Sequence, residues 1–438
     1  MARVAIIGTG IAGLSASYLL RQRHQITVYE KERRIGGHSR TVTVKHGDRI
    51  IPVDTGFIVY NERNYPNLTA LFARLGVRTK ASNMTFALSV RDGWLEWGAK
   101  DLNAVFGQRR NMLRPRFFQL FRDVMRFNAE VVEAVKREPA ITLGAFVERL
   151  GFGTWFKRYY LLPMAGAIWS CPPRQMLKFP AQVFVDFFDN HGLLAMDGQP
   201  QWRTVDGGSE HYVEKLVAPF RDRVRVGCGV ARVERLARGV RVTDATGAVE
   251  DYDHVVFACH ADEALSLLPD AGDAERSALS AIKYSRNVVV LHKDPRFMPK
   301  RRRCWASWNY HSDGQGEEPA ISLTYWMNLL QSIDEAYPVF VTLNPATPIP
   351  SENVFDAHVF HHPIFDTAAV AAQVRLKRMQ GQRGTWFCGA HLRHGFHEDG
   401  LMSAMDVAER LGAPAPWLAR DAEFAGDEPT FAAAAGGS

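Results

Sequence analysis

The stretch Gly8-Thr9-Gly10-Ile11-Ala12-Gly13, preceded by the apolar run Arg3–Ile7 and followed by Glu30 twenty positions after Gly10, decides the fold. Gly8 permits a tight turn, Gly10 lets backbone approach a pyrophosphate, and Gly13 lets a helix lie close to the preceding strand. Apolar spacing over residues 11 to 23 predicts that helix, and residues 25 to 29 read as a second strand. The unit is βαβ, with N–H groups at the helix start, those of Ile11 and Ala12 among them, available to phosphate charge. Glu30, followed by Lys31, stands where a carboxylate accepts hydrogen bonds from an adenosine ribose. A carboxylate there disfavours a 2′-phosphate, so the expected dinucleotide is FAD or NAD rather than NADP.

The chain has 438 residues, about three times the ~150-residue domain prior, and 46% hydrophobic against 23% charged residues is globular composition. Its formal charge of +6 and pI near 9.0 permit nucleic acid, anionic lipid or an acidic substrate as partner, and no nucleic-acid motif accompanies them. The longest apolar stretch, residues 4 to 20, is broken by glycines before the ~18 residues that spanning needs, and it lacks the basic start and cleavage site of a signal peptide. The five cysteines, Cys171, Cys228, Cys259, Cys304 and Cys388, are scattered without C-x-x-C spacing. A reducing, cytoplasmic setting follows as the expectation.

From residue 60 to 204 the pattern is mainly helical, interrupted near residues 86 to 97, where Arg91-Asp92-Gly93 makes a turn between two β-prone runs. Residues 116 to 137 form the clearest amphipathic helix: Phe117, Leu120, Phe121, Val124, Met125, Val131, Val132 and Val135 share one face. Beyond Gly207-Gly208, short strands at residues 223 to 226, 230 to 237, 240 to 244 and 254 to 258 suggest a β-meander beside the parallel sheet. A last strand at 386 to 389 leads into a helix over 400 to 411. The tail segment 421–438 ends in the small-residue run 432–438, which is expected to be disordered.

Arg34-Ile35-Gly36-Gly37-His38-Ser39-Arg40 places a second glycine pair and flanking cations just beyond Glu30, and Val53-Asp54-Thr55-Gly56 follows. With these residues the sequence resembles the flavin-containing amine oxidase and phytoene desaturase superfamily. The resemblance implies an α/β, two-lobed flavin amine oxidase-like fold, with a Rossmann-type FAD-binding domain and a mixed α+β substrate domain. It also implies that Gly8, Gly10, Gly13, Glu30, Arg34, Gly36, Gly37 and Arg40 line the dinucleotide, joined by Lys31, His38, Thr55 and Gly56, with Val230 touching adenine through its backbone. The FAD domain is expected to be discontinuous, from residues 1–60, 205–270 and 380–420, with 61–204 and 271–379 forming the substrate domain. Phe387-Cys388-Gly389-Ala390 ends a strand, and Gly395-Phe396-His397-Glu398-Asp399-Gly400-Leu401 leads into the final helix. In this superfamily that helix aims its N–H groups at the pyrimidine side of the flavin, which assigns Gly389, Asp399 and Leu401 to the cofactor. Asp399 and Glu398 also read as helix caps. Ala390-His391 stands where amine oxidases usually carry an acidic residue. No second fingerprint follows, since Gly314-Gln315-Gly316 lacks a strand–helix frame, so no stable NAD(P)H site is expected and the flavin would be reoxidised by oxygen, a quinone or another carrier.

Phe187-Phe188-Asp189-Asn190-His191-Gly192, Trp202-Arg203-Thr204-Val205-Asp206-Gly207-Gly208, Trp305-Ala306-Ser307-Trp308-Asn309-Tyr310 and His362-Pro363-Ile364-Phe365 resemble a bacterial branch of flavoproteins found beside cyclopropane-fatty-acid-type methyltransferases. That branch includes desaturases of methyl-branched fatty acyl chains on the way to furan fatty acids. The resemblance implies dehydrogenation of a lipid or fatty acyl substrate, with a fatty acid methyltransferase as candidate partner; oxidation of an amine or of an isoprenoid or carotenoid, and presentation of lipid to such a methyltransferase, are the alternative readings. Trp155, Phe156, Tyr159, Tyr160, Trp169, Phe184, Phe187, Phe188, Tyr325 and Trp326 could line a tunnel for an apolar substrate, although an aromatic core explains each of them as well. His292, Tyr325, His362 and His397 are proton-handling candidates because they interrupt apolar runs. His358, His361 and His362 lack a metal-site frame, and no metal is expected. Lys300-Arg301-Arg302-Arg303 reads as a phosphate contact or a solvated loop. The phenylalanines and basic N-terminal half of the 116 to 137 helix suit either peripheral docking at the inner membrane surface or packing on its own lobe.

Overall fold

Arg3–Ile7 and Gln25–Glu30 are the centre of a five-stranded sheet in the order Val224–Val226, Gln25–Glu30, Arg3–Ile7, His254–Phe257, Thr385–Phe387, with every neighbouring pair parallel. Both faces of such a sheet are covered, which is why Val4, Ala5 and Ile6 are fully buried and the strand reads as a continuous apolar run. Helix Ile11–Leu20 makes the crossover and is buried on all sides. It is apolar around its whole circumference because it lies between the sheet and the final helix, His397–Arg410. Gly13 sets that spacing, since a Cβ there would sit 1.9 Å from the Gly8 carbonyl oxygen. The computed structural model describes residues 1–138, 140–169, 173–190, 192–194, 199–314 and 321–417. The expectations placed on Cys171, His191, Gln315, Gly316 and the tail lie outside these.

A seven-stranded mixed sheet runs Val354–Ile364, Lys283–His292, Phe340–Leu343, Ile321–Trp326, Trp308–Ser312, Phe86–Val90, Leu95–Gly98. All its pairings are antiparallel except that of Trp308–Ser312 with Phe86–Val90. The hairpin turn falls at Arg91-Asp92-Gly93, all three with positive φ. Helices between residues 102 and 190 pack against this sheet around Phe117, Phe127, Phe146, Phe156, Phe184 and Phe188, whereas Pro66–Leu75 packs with the parallel-sheet core through Leu68, Leu71 and Phe72.

The structure revises three expectations. Val224–Val226 and His254–Phe257 belong to the parallel sheet, and the third strand of the meander is Val249–Tyr252, pairing with Val240–Asp244. Its sequence, Val-Glu-Asp-Tyr, is too polar to read as a strand because it forms the edge. The amphipathic helix spans Pro115–Val135, and Met125, expected on its buried face, is exposed, while Phe127 is fully buried. The final helix begins three residues before Gly400, at His397, because the Asp399 carboxylate accepts a hydrogen bond from the Phe396 amide at 2.9 Å.

Candidate functional site: a dinucleotide cradle opening into an apolar arm

The fingerprint is stitched to its surroundings by Thr9. Its amide donates to Glu30 Oε2 at 2.9 Å, its hydroxyl donates to the same oxygen, and its carbonyl accepts the Gly36 amide at 3.1 Å. Glu30 Oε1 accepts the Glu32 amide at 2.8 Å, so this nearly buried carboxylate is oriented before any ligand arrives. Gly37 lies against the turn: a Cβ there would be 2.8 Å from Gly10 Cα. A Cβ on Gly10, by contrast, would meet nothing within 4 Å, so the glycine faces open space. The helix that starts beside it has no side-chain cap and no acidic residue in its first turn. Free N–H groups beside an open cradle are the arrangement that receives an anion.

Arg34 does not project as a free cation. Its guanidinium donates to the carbonyls of Ser39 at 2.8 Å and Gly37 at 2.5 Å, fixing the glycine-pair loop. Arg40 is paired in bidentate fashion with Asp356, at 2.7 and 3.1 Å, and bonds Thr55 Oγ1 at 3.2 Å. Lys31 is paired with Glu263. The cations of this region organise protein first.

A single cavity of about 1390 Å³ is lined by Gly8, Gly10, Ile11, Ala12, Glu30, Lys31, Arg34, Gly37, His38, Thr55, Gly56, Val230 and Gly389, and also by Tyr325, His362 and His397. Gly13, Gly36, Arg40, Asp399, Leu401 and His292 are outside the lining. Gly13 and Gly36 act through packing and the Thr9 contact. Asp399 caps its own helix, and Glu398 caps another, Pro66–Leu75, by accepting from the amides of Asn67 and Leu68, both at 2.9 Å. His292 is fully buried in the seven-stranded sheet, where its Nδ1 accepts from the Asp294 amide and its Nε2 donates to Thr342 Oγ1 at 2.7 Å.

Histidines from distant segments gather in the lining: His38, His260, His358, His361, His362, His391, His394 and His397 all belong to it. Burial depresses the pKa of His362 to about 4 and those of His391 and His397 to about 3, and holds His38 well below the ordinary value. These rings are neutral at physiological pH. His397 stacks on Phe57, with centroids 3.8 Å apart, and its Nε2 bonds Ser39 Oγ at 3.0 Å and the Tyr212 hydroxyl at 3.2 Å. His362 Nδ1 accepts from the Asn287 amide at 2.9 Å, which leaves the ring proton on Nε2. Neither ring is a strong base in this setting. Among the described residues no group of three His, Cys, Asp or Glu could hold a metal ion.

Beyond the histidines the lining turns apolar, through Met84, Phe86, Trp97, Tyr160, Met164, Ala167, Trp169, Phe187, Trp308, Tyr325 and Leu343 to Phe118, Phe121 and Met125 on the long helix. Four of the ten aromatic residues expected at a tunnel or core, Tyr160, Trp169, Phe187 and Tyr325, line this arm, and Phe156, Phe184 and Phe188 are core. The acidic lining residues are Glu30, Glu32 and Glu263, all at the Glu30 end; the arm has none among the described residues.

The model of the family described as flavin containing amine oxidoreductase matches residues 11–328. The chain belongs to that family. With membership comes FAD as cofactor, and the family is one of oxidoreductases. A Mycobacterium tuberculosis protein named as a flavin-containing monoamine oxidase is 26% identical over 260 residues, covering 56% of this chain and 54% of the relative, so the chain spans about half that relative's length. Among solved structures, the CLA-producing fatty acid isomerase of P. acnes matches with a TM-score of 0.66 at 17% identity, over 93% of this chain and 98% of that one. Cyclohexylamine oxidase of Brevibacterium oxydans IH-35A matches with a TM-score of 0.65 at 16% identity, over 94% and 99%. At these identities the likeness is one of fold: a flavin amine oxidoreductase fold, α/β in class. The open Gly10 cradle, the uncapped helix and the pre-oriented Glu30 fit FAD.

Sequence reasoning missed Thr9 as the link between Glu30 and Gly36, and it missed the partners of His397. Ser39, Phe57 and Tyr212 come from separate segments and carry no local signal. His260 and Tyr284 were equally silent: Tyr284 stacks on His260 with centroids 4.3 Å apart, a contact only the fold creates.

Proposed function

We propose that this flavoprotein dehydrogenates a lipid, specifically a methyl-branched unsaturated fatty acyl chain of the kind that leads to furan fatty acids. The observation that carries the proposal is the long apolar arm, free of carboxylates among the described residues, that joins the FAD cradle to the surface. FAD, when bound, supplies a two-electron acceptor for hydride. The chain's residues do the rest: the arm aligns an alkyl chain and excludes water, while the neutral histidines present polar atoms without placing charge beside it. Loss of two hydrogens from adjacent carbons would send one to the flavin as hydride and the other as a proton to the free nitrogen of a neutral imidazole in the lining, which passes it to solvent, so that one alkene, one reduced flavin and one released proton balance the change. The Tyr325 hydroxyl, whose pKa burial raises, stays protonated and serves as a donor rather than a base.

The resemblance of Trp202 to Gly208 and of His362 to Phe365 to the furan fatty acid branch supports the branched acyl chain. That a fatty acid isomerase shares the fold is compatible with acyl chemistry in this architecture. Amine oxidation is the second reading, favoured by the monoamine oxidase relative; an ammonium group entering the arm would find no carboxylate partner among the described residues. A lipid-presenting role beside a methyltransferase would leave the flavin oxidised in the presence of lipid. Anaerobic titration separates the three: bleaching of bound flavin by a methyl-branched acyl lipid and not by primary amines is the expected result.

A further inference from the structure

We infer that the surface around the mouth of the apolar arm docks on an anionic lipid bilayer, so that an acyl chain passes from the membrane directly into the arm. The inference rests on the acyl-chain reading for its biological sense, but its physical basis is separate.

Among the described residues, Leu102, Met112, Leu113, Phe118 and Met125 are exposed large hydrophobics, at 78%, 48%, 85%, 51% and 64%. They fall within two dozen consecutive positions and make up half of the exposed large hydrophobics of the described chain. Leu102, Phe118 and Met125 also line the cavity, so the arm reaches the surface between them. Met112 and Leu113 sit on the 3-10 turn Arg109–Leu113 that leads into the long helix Pro115–Val135. Exposed apolar side chains concentrated at a cavity mouth mark an interaction surface rather than ordinary surface scatter.

Charge selects the partner. Residues 100 to 126 hold seven cations, Lys100, Arg109, Arg110, Arg114, Arg116, Arg122 and Arg126, against Asp101 and Asp123, a surplus of five in a chain whose whole surplus is six. Both carboxylates are occupied by backbone: Asp101 accepts the Ala104 amide at 2.8 Å and Asp123 the Gly153 amide at 3.1 Å. Lys100, Arg116 and Arg122 are exposed and make no ion pair among the described residues. A second copy of the same face would meet like charge, whereas anionic headgroups complement it and the apolar side chains enter the acyl boundary. No helix among the described residues is long and apolar enough to cross a membrane, so the contact is peripheral.

The test is flotation of FAD-loaded protein with vesicles of phosphatidylcholine, with and without phosphatidylglycerol, for wild type, Met112→Asp/Leu113→Asp and Arg116→Glu/Arg122→Glu. None of these four residues lines the cavity. Expected are binding that requires phosphatidylglycerol and weakens with salt, and affinity reduced about 10-fold or more in either double variant with the flavin spectrum unchanged. Binding indifferent to phosphatidylglycerol, or equal in wild type and variants, overturns the inference, as does a wild-type dimer in sedimentation velocity that Met112→Asp/Leu113→Asp dissociates. Vesicle binding without turnover of acyl lipid would sink the dehydrogenation reading alone; turnover of detergent-dispersed lipid without vesicle binding would sink the docking alone.

Discussion

The Thr9 amide donates to Glu30 Oε2 at 2.9 Å, so the first turn of the dinucleotide motif and the carboxylate at the end of the second strand are locked to each other in the protein itself. Glu30→Gln keeps an acceptor for that amide but removes the charge that a ribose diol would meet. FAD affinity should fall about 10- to 100-fold, the range for losing a hydrogen bond to a charged group, with little change in the fold. Fluorescence titration of apoprotein with FAD measures it, and unaltered affinity would remove Glu30 from the cofactor site.

Gly10 and Gly13 are predicted to fail in different ways. Gly10→Ala places its methyl in open space, so the apoprotein should fold normally and lose FAD binding. Gly13→Ala drives its methyl into the Gly8 carbonyl, 1.9 Å away, so it should be destabilised by several kcal/mol, on the order of 3 or more, whether FAD is present or not. Apoprotein melting temperature beside flavin content reads out both; an equally destabilised pair would mean that Gly10 is structural.

Acid sensitivity follows from the buried histidines. In the unfolded chain their rings protonate near pH 6.5, but in the fold His362 does so only near pH 4 and His391 and His397 near pH 3. Below pH 6.5 the unfolded state binds more protons, so stability is complete above that pH and is lost as pH falls toward the folded values, by roughly 2 kcal/mol per ring by about pH 5. Urea unfolding at about pH 7.5 and about pH 5 should show a marked drop in midpoint at the lower pH. A midpoint independent of pH would mean that these rings are not held neutral.

The arm should respond to filling. Met164→Trp adds bulk to its wall and is expected to lower kcat/KM for long acyl chains about 10-fold while sparing FAD content and shorter chains. Equal loss for all chain lengths would point away from the arm as the chain's path.

How much of this was legible beforehand depended on whether a residue's reason was local. The glycine fingerprint, Glu30 and the crossover helix declare themselves because turn geometry, close backbone approach and helix packing restrict residue type at fixed spacing. The cap at Asp399 was readable for the same reason, whereas Glu398 caps Pro66–Leu75, whose Asn67 lies 331 positions away. Arg40 carries no sign of its partner Asp356, 316 positions away. His292 and His362 look alike in sequence, both polar in apolar strands; only strand pairing puts Thr342 beside the first and the cavity beside the second. Met125 fits the buried stripe by spacing, yet the helix lies at a cavity mouth and leaves it exposed.

The most direct test of the account is anaerobic mixing of oxidised holoprotein with a methyl-branched unsaturated acyl lipid and, separately, with primary amines, following the flavin absorbance. The lipid is expected to bleach the flavin with formation of one new double bond per flavin reduced, and the amines to leave it oxidised. Bleaching by an amine, with no response to the lipid, would contradict it.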